Sequence, residues 1–165
     1  MEIVHKVGKT AVSVFVPHVV SKAKPLAAAA QKSLTKWRSM ISRKDFNDLP
    51  SIVARDAVFY SPIEWHPYPG RDLVCLLLRA AAGVYEDFKY ESEFTDGKNA
   101  VLGFSAHIGD IQVSGVHMIR FNAAGEFVNI EKMLRPEQGV QALGHAMGAK
   151  IGSQAKALLL KIKRK

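Results

Sequence analysis

Cysteine is nearly absent from this 165-residue chain: Cys75 is the only one. A disulfide within the chain and a thiolate metal site are therefore excluded, and a reducing, cytoplasmic setting is the natural reading. Also missing is any uncharged apolar run of the roughly 18–20 residues that a transmembrane helix needs. His5, His18, His66, His107, His117 and His145 show no pair at metal-ligand spacing, so neither a metal nor a cofactor is expected. No internal repeat and no nucleic-acid-binding motif is visible.

Acidic residues are scarce only at the two ends. Residues 1–44 carry nine Lys/Arg against Glu2 alone, residues 150–165 carry six against none, and residues 45–149 carry eight against fourteen. The net charge of +8 thus belongs to the ends, while the body is acidic. That distribution argues against a nucleic-acid face built into the body. It divides the chain into a basic amphipathic N-terminal extension (1–24), one domain (25–149) and a basic C-terminal tail (150–165). Both basic ends suit a peripheral contact with an anionic membrane surface, and packing on the body or on a second subunit is the plainer alternative.

Ile3, Val4, Val7, Ala11, Val14, Phe15 and Val19 recur at helical spacing, which predicts a helix up to about Ser21 with a break at Pro17. A second helix, opened by Pro25, carries the stripe Leu26, Ala29, Ala30, Ser33, Leu34, Trp37, Met40 and Ile41. A short helix follows Asp48, a strand covers Ala57–Ser61, and Pro62–Gly70 is a loop rich in proline. A long apolar helix is expected from Arg71 to about Phe88. Strands ending near Phe94, over Ala100–Ile108 and over Ile111–Pro136 make a meander, and a last helix carries Val140, Leu143, Met147 and Ile151. Helices grouped around consecutive hairpins indicate an α+β fold, a curved antiparallel sheet wrapped on helices.

Ile111–Pro136 bears most directly on function. Period-two alternation puts Val113, Gly115, His117, Ile119 and Phe121 on one face. On the return strand Val128, Ile130 and Leu134 share their face with Lys132. An apolar sheet face interrupted by a histidine and a lysine suits the wall of a ligand cavity. Phe59, Phe104 and Ala106 have the same inward parity, whereas His107 points outward.

The FYSP segment with its proline-rich loop and Gly70, the long helix, and GVHMIRFNAAGEFVNIEKMLRP together resemble the SnoaL-like members of the NTF2-like superfamily, from about Leu34 to Met147. The resemblance implies a cone-shaped α+β barrel with a bent sheet around a hydrophobic pocket, often a homodimer through the sheet's outer face. Its members include ketosteroid isomerases, polyketide cyclases, epoxide hydrolases and ligand-binding domains without a known reaction. Laid on the ketosteroid isomerase pattern, Trp37 stands where that family has an oxyanion-hole tyrosine. Ser61 stands at the proton-shuttling aspartate and His117 at the protonated aspartate. All three differ, which argues against isomerisation by that mechanism. The epoxide hydrolases' inward carboxylate pair is also missing.

The expected activity is therefore binding of a small apolar molecule in an internal cavity lined by Trp37, Phe59, Ser61, Phe104, Ala106, Ile119, Ile130 and Lys132. His117 is the polar contact, or a structural histidine satisfied by a neighbour. The alternative is a polyketide-cyclase- or isomerase-type enzyme in which His117 is general acid or base.

Overall fold

The computed structural model describes residues 3–7, 10–14 and 24–162. Its N-terminal part corrects the helical expectation. Strands β1 (Ile3–Val7) and β2 (Thr10–Val14) pair antiparallel, Ile3 opposite Val14 and Val7 opposite Thr10. β-branched residues fit a pleated strand better than a helix. Residues 15–23 and the side chains of residues 1–23 lie outside the described residues.

Helix α1 (Ala28–Arg43) buries Ala30, Leu34, Trp37 and Met40, a stripe at three- and four-residue spacing. It ends at Lys44, whose left-handed backbone and N–H bonds to the carbonyls of Met40 and Ile41 close the last turn. A single 3-10 turn (Leu49–Ser51) leads into β3 (Val53–Tyr60), a strand that starts earlier than expected. The proline-rich loop returns as the two-residue strand β4 (Tyr68–Pro69), pairing with Val58 and Phe59. Helix α2 (Arg71–Ala82) stops at Gly83, six residues short of Phe88. Phe88 lies in β5 (Glu86–Asp96), which opens the meander continued by β6 (Asn99–Ile108), β7 (Ile111–Phe121) and β8 (Phe127–Arg135). Helix α3 (Glu137–Ile162) then runs unbroken across Lys150, with Ile151 buried in the core.

The main sheet has the order β4-β3-β8-β7-β6-β5, is curved, and is not closed. One of its pairs departs from the antiparallel expectation: β3 runs parallel to β8, because α2 and the meander return the chain alongside it. The α+β class otherwise holds. A register shift between Arg120 and Phe121 makes Phe127, rather than Val128, the partner of Phe121. Phe127 is buried, and Val128, half-buried, packs against the same core cluster as Ile130. In the β7–β8 turn Gly125 (φ 80°) lies against α1, where a Cβ would overlap the backbone of Ala29. The turn thus seats the helix on the sheet.

Candidate functional site

Alternation along β7 and β8 brings His117 and Lys132 directly opposite each other on the inner face. Both are 4% exposed, the two buried ionisable side chains of the inner face. A cavity of about 360 Å³ opens beside them, between the sheet, the end of α1 and α2. Trp37, Leu78, Tyr85 and Phe88 contribute most of its aromatic and apolar wall, with Lys44 and Asp87 as its other charged lining. A second cavity, of about 300 Å³, lies between α3, α2 and the loop after β3, and is lined by Phe59, Ser61, Glu64, Tyr68, Met147 and Lys156 among others. Lys132 lines both.

Hydrogen bonds fix the imidazole. The Trp37 indole N–H, which can only donate, bonds Tyr90 Oη at 2.7 Å. Tyr90 Oη lies 2.8 Å from His117 Nδ1. Burial raises the Tyr90 pKa and keeps its hydroxyl protonated. With Trp37 donating to it, that hydroxyl satisfies its own hydrogen by donating to Nδ1, the arrangement in which the histidine's proton is on Nε2. His117 Nε2 is buried and has no hydrogen-bond partner among the described residues, and neither has Tyr85 Oη. Both residues line the first cavity, and both donor atoms lack an acceptor among the described residues.

The surroundings hold the imidazole neutral. Phe88 stacks on it with ring centroids 6.1 Å apart, Phe104 lies at 4.8 Å and Trp37 meets it edge-on at 6.4 Å. Burial lowers the His117 pKa well below the ordinary 6.5, and the charge of Lys132 pushes the same way. Gly115 makes the arrangement possible: a Cβ there would lie 2.8 Å from Phe104 Cζ, the ring that backs the imidazole.

Lys132 has no carboxylate at ion-pair distance among the described residues. Its Nζ lies 4.8 Å from the centre of the Tyr85 ring. Burial brings its pKa from 10.5 down to about 7. A cation over an aromatic face is favourable, so the ring contact opposes that fall without reversing it. The group consequently stands near the midpoint of its titration at neutral pH.

The residues expected at the site divide among several places. Trp37, His117 and Lys132 meet at the first cavity, while Phe59, Ser61 and Lys132 line the second. Ser61 Oγ accepts the Ile63 N–H at 3.1 Å, a local turn bond. Phe104 backs the imidazole, and Ala106, Ile119 and Ile130 are buried packing residues that line neither cavity. His107 is partly exposed and lies 3.7 Å from Asp87. On the proline-rich loop Trp65 is 93% exposed, and the Tyr68 hydroxyl donates to Glu64 at 2.6 Å. Among the described residues no three His, Cys, Asp or Glu side chains gather to hold a metal ion. No helix among them is long and apolar enough to cross a membrane.

Sequence reasoning missed Tyr85, Phe88 and Tyr90, because they were read as the end of a helix or left between elements. The signal was present. Gly83 is a helix stop, and Phe88, Tyr90, Ser92 and Phe94 alternate with charged or polar residues as in a strand.

The sequence matches no known protein-family model and no curated protein. Solved structures do match. A steroid delta-isomerase from Pseudomonas aeruginosa shares 41% identity over 79% of this chain and 96% of its own, with a TM-score of 0.76. An NTF2-like protein of unknown function from Mesorhizobium loti (18% identity, 68% and 96% covered, TM-score 0.61) is similar in fold. So is a protein from Shewanella putrefaciens provisionally named a SnoaL-like polyketide cyclase (15% identity, 75% and 88% covered, TM-score 0.54).

Proposed function

Because this chain belongs to the SnoaL-like, NTF2-like superfamily, we propose that it binds a small, mainly apolar molecule carrying an acceptor oxygen, with that oxygen held by His117 Nε2–H. The observation that carries this reading is a buried Nε2 without a partner among the described residues, on a histidine that lines a cavity of about 360 Å³. An unsatisfied buried donor is costly, and a ligand carbonyl or hydroxyl would relieve the cost. Aromatic walls supply the apolar contacts.

Molecules retained through purification, extracted and identified by mass spectrometry, test the reading. His117→Ala is expected to reduce retention about tenfold, the loss of one hydrogen bond in a dry site. Retention unchanged by that substitution would remove His117 from the site.

A second reading, an enzyme of isomerase or cyclase type, is favoured by one observation. An amine with a pKa of about 7 stands across the strand pair from His117, and a base poised near neutrality suits proton abstraction next to a carbonyl. In that reading His117 supplies a hydrogen bond to the oxygen, since its cavity-facing nitrogen already bears a proton, and Lys132 is the base. The 41% identical structure is that of a steroid delta-isomerase. Exchange of a bound ketone's α-hydrogen for solvent deuterium separates this reading from simple binding.

A further inference from the structure

We propose that Lys132 is a covalent capture residue, whose amine forms a reversible imine with an aldehyde or ketone in the cavity. The proposal rests on the carbonyl-binding reading given above and adds a bond to it. Three features of the structure support it.

First, Lys132 reaches no carboxylate among the described residues. A lysine kept inside a fold as an ammonium normally has a paired anion, and one without it is held in its free-amine form by desolvation. The charged and titratable groups that face it from neighbouring elements do not supply that anion. From β7 there is His117, from the segment before β5 Tyr85, and at the first cavity Lys44 and Asp87. At the second cavity there are Glu64, Tyr68 and Lys156. Glu64 already accepts from the Tyr68 hydroxyl, and Asp87 lies beside His107. Helix α2 contributes only apolar residues to both linings.

Second, Lys132 is the one residue that lines both cavities. A carbonyl compound in the first cavity is adjacent to the amine, and an elongated one has the second cavity beyond it. Third, His117 and Tyr85, whose Nε2 and Oη have no partner among the described residues, line the same space as Lys132. They can hold a carbonyl oxygen while the amine attacks its carbon.

The step balances without oxidant or reductant. The nitrogen lone pair attacks the carbonyl carbon, the C–N bond forms and the C=O π pair moves to oxygen. A proton passes from nitrogen to that oxygen. The carbinolamine's nitrogen lone pair then forms C=N as the C–O bond breaks, and the second nitrogen proton leaves with the departing hydroxyl as water. Amine and carbonyl become imine and water. Burial brings the Lys132 pKa to about 7, so a large share of the amine is free near neutrality, where an ordinary lysine is almost wholly protonated.

The test uses the full chain, 2-naphthaldehyde and cyanoborohydride at pH 7, with the reduced adduct located by peptide mass spectrometry. Adduct at Lys132 is expected to form about 100-fold faster than at exposed lysines, and Lys132→Met should remove that fast phase alone. Quenching of Trp37 fluorescence, isolated by Trp65→Phe, reports entry into the first cavity independently of the bond. Quenching without adduct at Lys132 would overturn the imine and leave the binding reading intact. Neither quenching nor selective adduct would overturn both.

Discussion

At pH 6 the Lys132→Met variant is expected to be more stable than the parent protein by several kcal/mol, with the gain shrinking as the pH approaches 10. In the fold, burial brings the lysine from 10.5 to about 7, whereas in the unfolded chain it titrates near its ordinary value. Between those values the unfolded chain binds a proton that the folded protein does not, so stability rises with pH. Below about 7 both states carry the proton and the full cost of a buried ammonium applies. A fall from 10.5 to about 7 corresponds to roughly 5 kcal/mol. That value reflects burial alone, and the Tyr85 ring contact and relaxation of the site lower it. Methionine fills a similar volume without a charge. Urea midpoints at pH 6, 8 and 10 measure the effect, and parallel pH curves for the two proteins would contradict it. His117 adds a separate limb: with its folded pKa well below 6.5, stability falls as the pH drops through 6.5, less steeply in the variant, where burial alone and not the Lys132 charge lowers that pKa.

Tyr90→Phe is expected to destabilise the protein by roughly 2–4 kcal/mol, a large effect for the loss of one oxygen. That oxygen accepts from Trp37 and donates to His117. Its removal leaves two buried polar atoms unpaired, each at a cost of about 1–3 kcal/mol when no water replaces the partner. It also releases the constraint on the imidazole, since Nδ1 no longer has a donor to oblige it to accept. Denaturant unfolding measures the first consequence. A change within about 0.5 kcal/mol would mean that the Trp37–Tyr90–His117 relay is not made.

The relay also marks the limit of what the sequence discloses. His117 and Lys132 were legible because alternation along two hairpin-linked strands fixes both faces at once, and their cross-strand pairing follows from the short turn between them. The α+β class was legible for the same reason, as consecutive hairpins admit few topologies. Tyr90 was not legible as a site residue. It lies 27 residues from His117 and 53 from Trp37, and no local pattern registers a contact at that range. The apolar run Leu73–Ala82 continues past the stop at Gly83 into Val84 and Tyr85, and that continuity outweighs the glycine and draws Tyr85 and Phe88 into the expected helix. At the N-terminus, Ile3, Val7 and Val14 satisfy helical spacing as well as strand alternation, and the β-branched composition favours the paired strands seen. The register shift that pairs Phe121 with Phe127 was not legible, because a bulge leaves no trace in hydrophobicity.

The central claim is that His117 is a neutral imidazole whose N–H points from Nε2 into the cavity. Nitrogen-15 NMR of histidine-labelled protein reads this directly, through the tautomer and its response to pH. A neutral Nε2–H form persisting well below pH 6.5, whose Nε2 signal moves when a carbonyl compound is added, is the predicted result. An imidazole that titrates near 6.5, or that carries its proton on Nδ1, would contradict it.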